Sequence, residues 1–187
     1  MPDAELREQT SGLSYPVFVK PVNSGSSFGI SRVSDGKGLL DAVKGGFQYD
    51  GKVIIEEAIP GFEVGCAVLG TDPLTIGEVD EIELSRGFFD YTEKYTLKTS
   101  KIHMPARIDA DMAKRVKQAA AVVYRTLGCS GFARVDFFLT LQNEIVFNEV
   151  NTIPGFTTHS RYPNMLKGIG IPFGQMMDEM IRLAVES

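Results

Sequence analysis

Gly131-Phe132-Ala133-Arg134-Val135-Asp136-Phe137-Phe138 and, after a short turn, Asn148-Glu149-Val150-Asn151 carry the decisive pattern of this chain. Side chains alternate faces along a strand, so we read strands over 131–139 and 144–151, joined near Gln142-Asn143. Ala133, Val135, Phe137 and Leu139 then point one way, and Arg134 and Asp136 the other. In the second strand Ile145, Phe147, Glu149 and Asn151 are expected to share a face. A hairpin gathers Arg134, Asp136, Glu149 and Asn151 on one surface. Apolar neighbours imply that this surface is at least partly buried. Burying two carboxylates together is costly unless a cation neutralises them. Asp136, Glu149 and the Asn151 amide form a hard, all-oxygen donor set of the kind Mg²⁺ takes. The plainer alternative is a solvated face with an Arg134–Asp136 salt bridge.

Outward from the hairpin, Asn151-Thr152-Ile153-Pro154-Gly155-Phe156-Thr157-Thr158-His159-Ser160 ends the strand in a turn rich in Gly, Pro and hydroxyls. Gly155 lets backbone N–H groups approach a ligand closely, where they can hold a developing oxyanion. A last helix is expected from Pro172, a favoured first helical position. Its stripe is read as Phe173, Met176, Met177, Met180, Ile181 and Ala184. Upstream, Met112, Val116, Ala119, Val123 and Leu127 keep helical spacing over 109–127. Residues 80–106 show no clean period and read as a long loop, which in a compact domain is usually functional or disordered.

The first third reads as strands over 15–21, 29–33 and 53–57, with a helix over 35–47 whose face is Leu39, Leu40 and Val43 and whose Gly45-Gly46 end is weak. Strands over 63–69 and 74–79 follow. Lys20-Pro21 leads into Gly25-Ser26-Ser27-Phe28-Gly29, after which the chain returns as a strand. A Walker A loop opens a helix, and a dinucleotide fingerprint does too, so neither applies. The pattern fits a loop over phosphates between two strands, with Lys20 as a positive charge, or an ordinary hairpin loop. Glu56-Glu57-Ala58-Ile59 before Pro60-Gly61-Phe62-Glu63 reads either as acids solvated at a strand end or as an extended segment beside an acid, able to read an adenine edge and ribose hydroxyls.

Composition narrows the partners. The chain has 187 residues, 43% hydrophobic, enough for a core. Net charge is −5, with no basic stripe, which argues against nucleic acid or an anionic membrane surface. No apolar stretch is long enough to span a bilayer. The polar, acidic start, residues 1–10, is expected to be neither a signal nor a transit peptide. Cys66 and Cys129 are expected to be reduced, buried thiols, as in a cytoplasmic protein. No Cys/His cluster suggests zinc.

Taken together and in this order, these strings resemble the ATP-grasp superfamily, and within it the D-alanine–D-alanine ligase family. The matching strings are Val19-Lys20-Pro21, Gly25-Ser26-Ser27-Phe28-Gly29, Glu56-Glu57 with Gly61-Phe62-Glu63, Phe89-Asp90-Tyr91-Thr92-Glu93-Lys94-Tyr95, the Gly131–Phe138 strand and Asn148 to Thr157. The resemblance implies an α+β ATP-grasp fold. Residues 1–14 would be a polar lead-in and 15–70 part of the central ATP-binding subdomain. Residues 71–187 would form the C-terminal antiparallel-sheet domain with helices, with a mobile loop at about 83–100.

It also implies roles. Lys20 would contact the α/β phosphates, and the loop of Gly25, Ser26, Ser27 and Phe28 would cover the triphosphate. Glu56, Glu57, Ala58 and Ile59 would line the adenine, read by the backbone of Glu57 and Ile59, and Glu63 would bind ribose. Asp136, Glu149 and Asn151 would hold a pair of Mg²⁺ ions, with Mn²⁺ a substitute. Lys94 and Tyr95 would lie on the loop closing over the site, Lys94 contacting the γ-phosphate. Arg134 and the Gly155 amide would stabilise the tetrahedral oxyanion, and Ser160 would bind the carboxylate of the second D-amino acid.

The implied reaction joins D-alanine to a second D-amino acid through an acyl phosphate, with ADP released. Glu93-Lys94-Tyr95 resembles dipeptide-forming members, and Arg161 after Ser160 resembles the D-alanine–D-serine ligases of vancomycin resistance. An arginine there could hydrogen-bond a serine hydroxyl, or simply pair with a nearby acid. Family members carry a further N-terminal domain holding part of the first substrate site. The isolated chain is therefore expected to keep much of its nucleotide site but little activity, and the full-length enzyme to be a cytoplasmic homodimer acting on small molecules. Rival readings are another ATP-grasp carboxylate–amine ligase or a non-catalytic nucleotide-binding module. His103 and His159 are read as structural rather than catalytic.

Overall fold

The computed structural model describes residues 3–24, 27–84 and 100–186. The chain divides into two compact units, Met1–Ile59 with Leu84–Ser100, and Pro60–Glu83 with Lys101–Ser187. The strand starting at Gly61 pairs over its whole length inside the second unit. Gly25, Ser26, Lys94, Tyr95 and most of the loop read at about 83–100 lie outside the described residues.

In the first unit, β1 (Val17–Pro21) lies between β2 (Ser31–Val33) and β3 (Val53–Glu57), antiparallel to both. Alternation in β1 buries Val17 and Val19, and these pack with Val33 and with Leu39 and Val43 of α2 (Leu39–Gly46). The stretch read as a lead-in contains α1 (Asp3–Gln9), whose Leu6 is buried in the same core. A single apolar residue among polar ones gave no visible period. Gly45 and Gly46 stay within α2, and a Cβ at Gly46 would meet the Val53 side chain at 3.0 Å, so a small residue suits that contact.

The second unit is a five-stranded sheet of order β6-β5-β4-β7-β8. Its strands are β4 (Gly61–Leu69), β5 (Thr75–Leu84), β6 (Ser100–His103), β7 (Phe132–Thr140) and β8 (Ile145–Asn151). Helix α3 (Ala110–Thr126) is capped by Asp109, whose side chain accepts the Met112 N–H at 2.7 Å. It buries Met112, Val116, Ala120 and Tyr124, one residue per turn, against Val64, Cys66, Val135 and Phe137. Ala119 and Val123 sit at the flank of this stripe, and Leu127, past the last turn, is exposed. The opposite sheet face carries α4 (Arg161–Gly168) and α5 (Phe173–Glu186), with Tyr162, Met165, Leu166 and Met176 packed on Ala67 and Leu69. On α5 the inward residues are Met176, Met180 and Leu183, while Phe173 and Ile181 are exposed. With both faces covered, Val64 to Leu69 of β4 are buried without a break.

The stretch read as a loop from residue 80 begins instead inside β5, and β6 lies within it. Its acidic residues hid the strand, since Asp80 and Glu81 are both buried. Arg107 explains Glu81: its backbone N–H and guanidinium both bond the carboxylate, the backbone at 2.9 Å. Burial opposes ionisation of Glu81, and the hydrogen bonds and charge of Arg107 outweigh it, holding the carboxyl below the usual 4.5. A depressed carboxylate stabilises the fold above its unfolded pKa and loses that contribution as pH falls through the folded value. Glu81→Gln is therefore expected to melt at a lower temperature than the parent at neutral pH, with the gap closing below pH 4.5. Thermal melts across pH check this, and a gap that widens in acid would contradict it.

Cys66 is a buried free thiol, and Cys129 is a free thiol only partly covered. No helix among the described residues is long and apolar enough to cross a membrane.

Candidate functional site

The hairpin register pairs Arg134 with Asn151 and Asp136 with Glu149, so these side chains share one face of the sheet. Beyond Glu149 the register shifts: Phe137 lies opposite Phe147, leaving Asn148 as an extra residue in β8. This bulge sends Ile145 and Phe147 to the other face, where Ile145 packs on the core beneath α3 and Phe147 meets Phe137 edge-on. The face expected to hold Ile145, Phe147, Glu149 and Asn151 together thus keeps only the last two. A bulge re-aims side chains and ends regular pairing, and such features gather beside active sites.

Asp136 is fully buried. Arg134 donates to both its oxygens, from Nε at 2.9 and 2.8 Å, and its Nη2 lies 2.7 Å from Oδ2. Glu149 is more open, its side chain 55% exposed, with its carboxylate 4.0 Å from Arg134 Nη2. The Asn151 side-chain oxygen accepts the Ile153 N–H at 3.1 Å, which orients the amide at the strand end.

A second arginine completes the cluster, and its partners lie far away in sequence. Arg161, at the start of α4, donates Nε to Asp80 Oδ2 at 2.8 Å and Nη2 to Asp80 Oδ1 at 2.7 Å. Its Nη1 donates to Glu63 at 2.9 Å, and Nη2 stands 3.3 Å from Asp136. Burial opposes the Arg161 charge, but Asp80, Asp136 and Glu63 outweigh it and fix the guanidinium as a cation. For Glu63 the charge is disfavoured: burial raises its carboxyl, Arg161 opposes this, and the Asp136 charge adds to the rise. Gly65 makes the arrangement sterically feasible. It lies across from Asp80 on one side and Asp136 on the other, and a Cβ there would stand 2.3 Å from Arg161 Nη2 and 2.6 Å from Asp136 Oδ1.

The turn before α4 is tight. Ser160 precedes the helix, and its hydroxyl accepts the Thr157 N–H at 2.9 Å while lying 2.9 Å from Thr157 Oγ1. A Cβ at Gly155 would sit 3.0 Å from Ser160 Oγ, so these two residues are neighbours. Asn164 donates to the Thr158 and Ser160 carbonyls and ties the turn to the helix. Sequence reading missed α4 because Pro163 stands in its first turn, where proline is in fact tolerated. His103 bonds Glu83 at 2.6 Å, and His159 is exposed.

In the first unit, Lys20 and Glu56 form an ion pair on the sheet face away from the core. Glu57 lies opposite Val17 and accepts the Ser14 N–H at 2.6 Å. The Ala58 N–H is taken by the Pro16 carbonyl at 2.9 Å. β3 is an edge strand of its sheet, so half of its backbone groups point away from β1. Ser27 has φ +59° and Phe28 is exposed.

Asp136, Glu149 and Asn151 carry only oxygen donors on this face, the type a hard divalent cation takes. Among the described residues no three His, Cys, Asp or Glu side chains converge as a metal group. The set here is two carboxylates and an amide, with the buried carboxylate already balanced by two guanidinium groups.

Known proteins agree with this architecture. The chain superposes on the crystal structure of VanG D-Ala:D-Ser ligase from Enterococcus faecalis with TM-score 0.88 and 63% identity, over 97% of this chain and 53% of that one. Such neighbours define the class, an ATP-grasp α+β fold. A family model described as D-ala D-ala ligase C-terminus matches residues 2–182. The D-alanine–D-alanine ligase of Caldicellulosiruptor bescii is 46% identical over 98% of this chain and 51% of its own length. The vancomycin B-type resistance protein VanB of Enterococcus faecalis is 51% identical over 93% of this chain and 52% of its own. The chain therefore belongs to the D-alanine–D-alanine ligase family, of which it represents the C-terminal part, and it spans about half the length of the curated relatives it matches.

Proposed function

We propose that this chain is the ATP- and Mg²⁺-handling part of an ADP-forming ligase that joins D-alanine to a second D-amino acid, D-serine in preference to D-alanine. The observation that carries the reading is the sheet face on which Asp136, Glu149 and Asn151 stand beside Arg134 and Arg161. The whole enzyme would act in the cytoplasm as a homodimer, supplying a peptidoglycan precursor in a vancomycin-resistant cell wall. The acidic balance gives it no footing on nucleic acid.

In this reading a D-alanine carboxylate oxygen attacks the γ-phosphorus of ATP, the bond to ADP breaks, and an acyl phosphate forms. The amine of the second substrate then attacks the acyl carbon and phosphate leaves. Lys20 is suited to the α/β phosphates, and the backbone edge of β3 to adenine, with Glu63 for ribose. Asp136, Glu149 and Asn151 would hold Mg²⁺, which when bound supplies charge neutralisation at the phosphates. Arg134 and the Gly155 amide are suited to the tetrahedral oxyanion. Ser160, at the N-terminus of α4, is suited to the second substrate's carboxylate, since a helix N-terminus favours an anion. Lys94 and Tyr95 keep the roles the family resemblance gives them. Catalysis of this kind is positioning and electrostatics.

The 63% identity to a D-Ala:D-Ser ligase supports D-serine, whereas Arg161 is largely taken up by the acids around it. Its Nε and Nη2 face Asp80 and Asp136, and Nη1 bonds Glu63 with one of its two hydrogens. The second Nη1 hydrogen is the donor suited to a serine hydroxyl. The D-alanine reading is favoured by relatives such as that of C. bescii. Arg161→Leu in the full-length enzyme is expected to lower the D-Ser/D-Ala ratio of kcat/KM about tenfold, one hydrogen bond to a charged group. The ratio cancels any loss common to both substrates. An unchanged ratio would remove the D-serine assignment.

A further inference from the structure

The two described flanks of the phosphate loop, residues 22–24 and 27–29, both rest on the turn between α2 and β3. The Asn23 N–H donates to Asp50 Oδ2 at 2.5 Å, and the Val22 N–H donates to the Lys52 carbonyl at 3.1 Å. The Ser24 hydroxyl donates to the Tyr49 carbonyl at 3.4 Å. On the other flank the Phe28 ring lies 6.5 Å from the Tyr49 ring, tilted by 30°. Gly29 has φ +71°, and a Cβ there would stand 2.6 Å from Tyr49 Cδ2 and 2.8 Å from Pro21 Cγ. The Tyr49 ring thus occupies the space that any other residue at position 29 would need. Core packing does not account for Tyr49, which is 56% exposed. The Asn23 amide is the main influence holding the Asp50 carboxyl below its usual value, as expected of a charge-assisted acceptor.

We propose that Tyr49 and Asp50 are positioning residues for ATP: they hold both described flanks of the loop, so that triphosphate binding depends on them although they do not touch the nucleotide themselves. The proposal rests on the loop being the phosphate-binding element. It predicts a separation of effects within the nucleotide. Adenosine, which lacks phosphates, does not depend on the loop, whereas a triphosphate does.

The test is calorimetric binding of a non-hydrolysable ATP analogue with Mg²⁺, and of adenosine alone, to this chain and to Asp50→Ala, Asp50→Asn and Tyr49→Ala. Asp50→Ala is expected to weaken the analogue about tenfold, Tyr49→Ala to weaken it as well through the lost ring contact, and both to leave adenosine unchanged. Asp50→Asn keeps an oxygen acceptor and is expected to recover most of the loss. Equal weakening of both ligands would mean general damage to the first unit, and unchanged analogue binding would mean that the turn does not position the loop. Either result overturns the proposal. A parent chain that binds the analogue no more tightly than adenosine would instead remove the phosphate role of the loop, and this proposal with it.

Discussion

Gly65→Ala is expected to destabilise the chain by about 3–5 kcal/mol, the cost of breaking a buried ion pair. The added Cβ would fall 2.3 Å from Arg161 Nη2, 2.6 Å from Asp136 Oδ1 and 3.0 Å from Asp80 Oδ1. The end of an arginine side chain normally swings aside at little cost. Here it is enclosed and held by carboxylates at 2.7, 2.8 and 2.9 Å, so moving it strands buried charges. The same substitution at Gly45 should act in the opposite direction. That residue is helical and a Cβ there meets nothing within 4 Å, so alanine gains up to about 1 kcal/mol through propensity. Urea unfolding of both variants gives the comparison. A Gly65→Ala midpoint equal to the parent's would mean that the arginine cluster is not fixed as described.

Asp136→Asn is expected to weaken Mg²⁺-supported nucleotide binding by at least about 100-fold, the upper range for losing groups that support a metal. Some of the damage will be to the fold, because Arg134 and Arg161 both lose a charged partner. Glu149→Gln separates the two effects. Its side chain is 55% exposed and stands 4.0 Å from Arg134, so stability should hardly change while metal-dependent affinity still falls. Should both variants bind nucleotide in Mg²⁺ as well as the parent, the metal assignment is wrong.

Much of this site was legible because strand alternation is simple. Arg134 and Asp136 are two apart, and so are Glu149 and Asn151, and the observed pairing puts all four on one face. What alternation could not foresee was the extra residue Asn148, which moves Ile145 and Phe147 to the opposite face and has no mark in composition. Arg161 was singled out by resemblance, but its partner Asp80 was lost in a stretch read as loop. Buried acidic residues had broken the strand period there, the kind of place where local rules fail. Helix α4 was missed for a related reason, since Pro163 reads as a breaker although it sits in the first turn. On α3 and α5 the helices themselves were plain, and the error was only one of phase, with Ala120, Tyr124 and Leu183 facing inward.

The most direct test of the central claim is titration of this chain with a non-hydrolysable ATP analogue, with and without Mg²⁺, followed by calorimetry. The account predicts binding that Mg²⁺ strengthens. Binding that is absent, or identical with and without the metal, would contradict it.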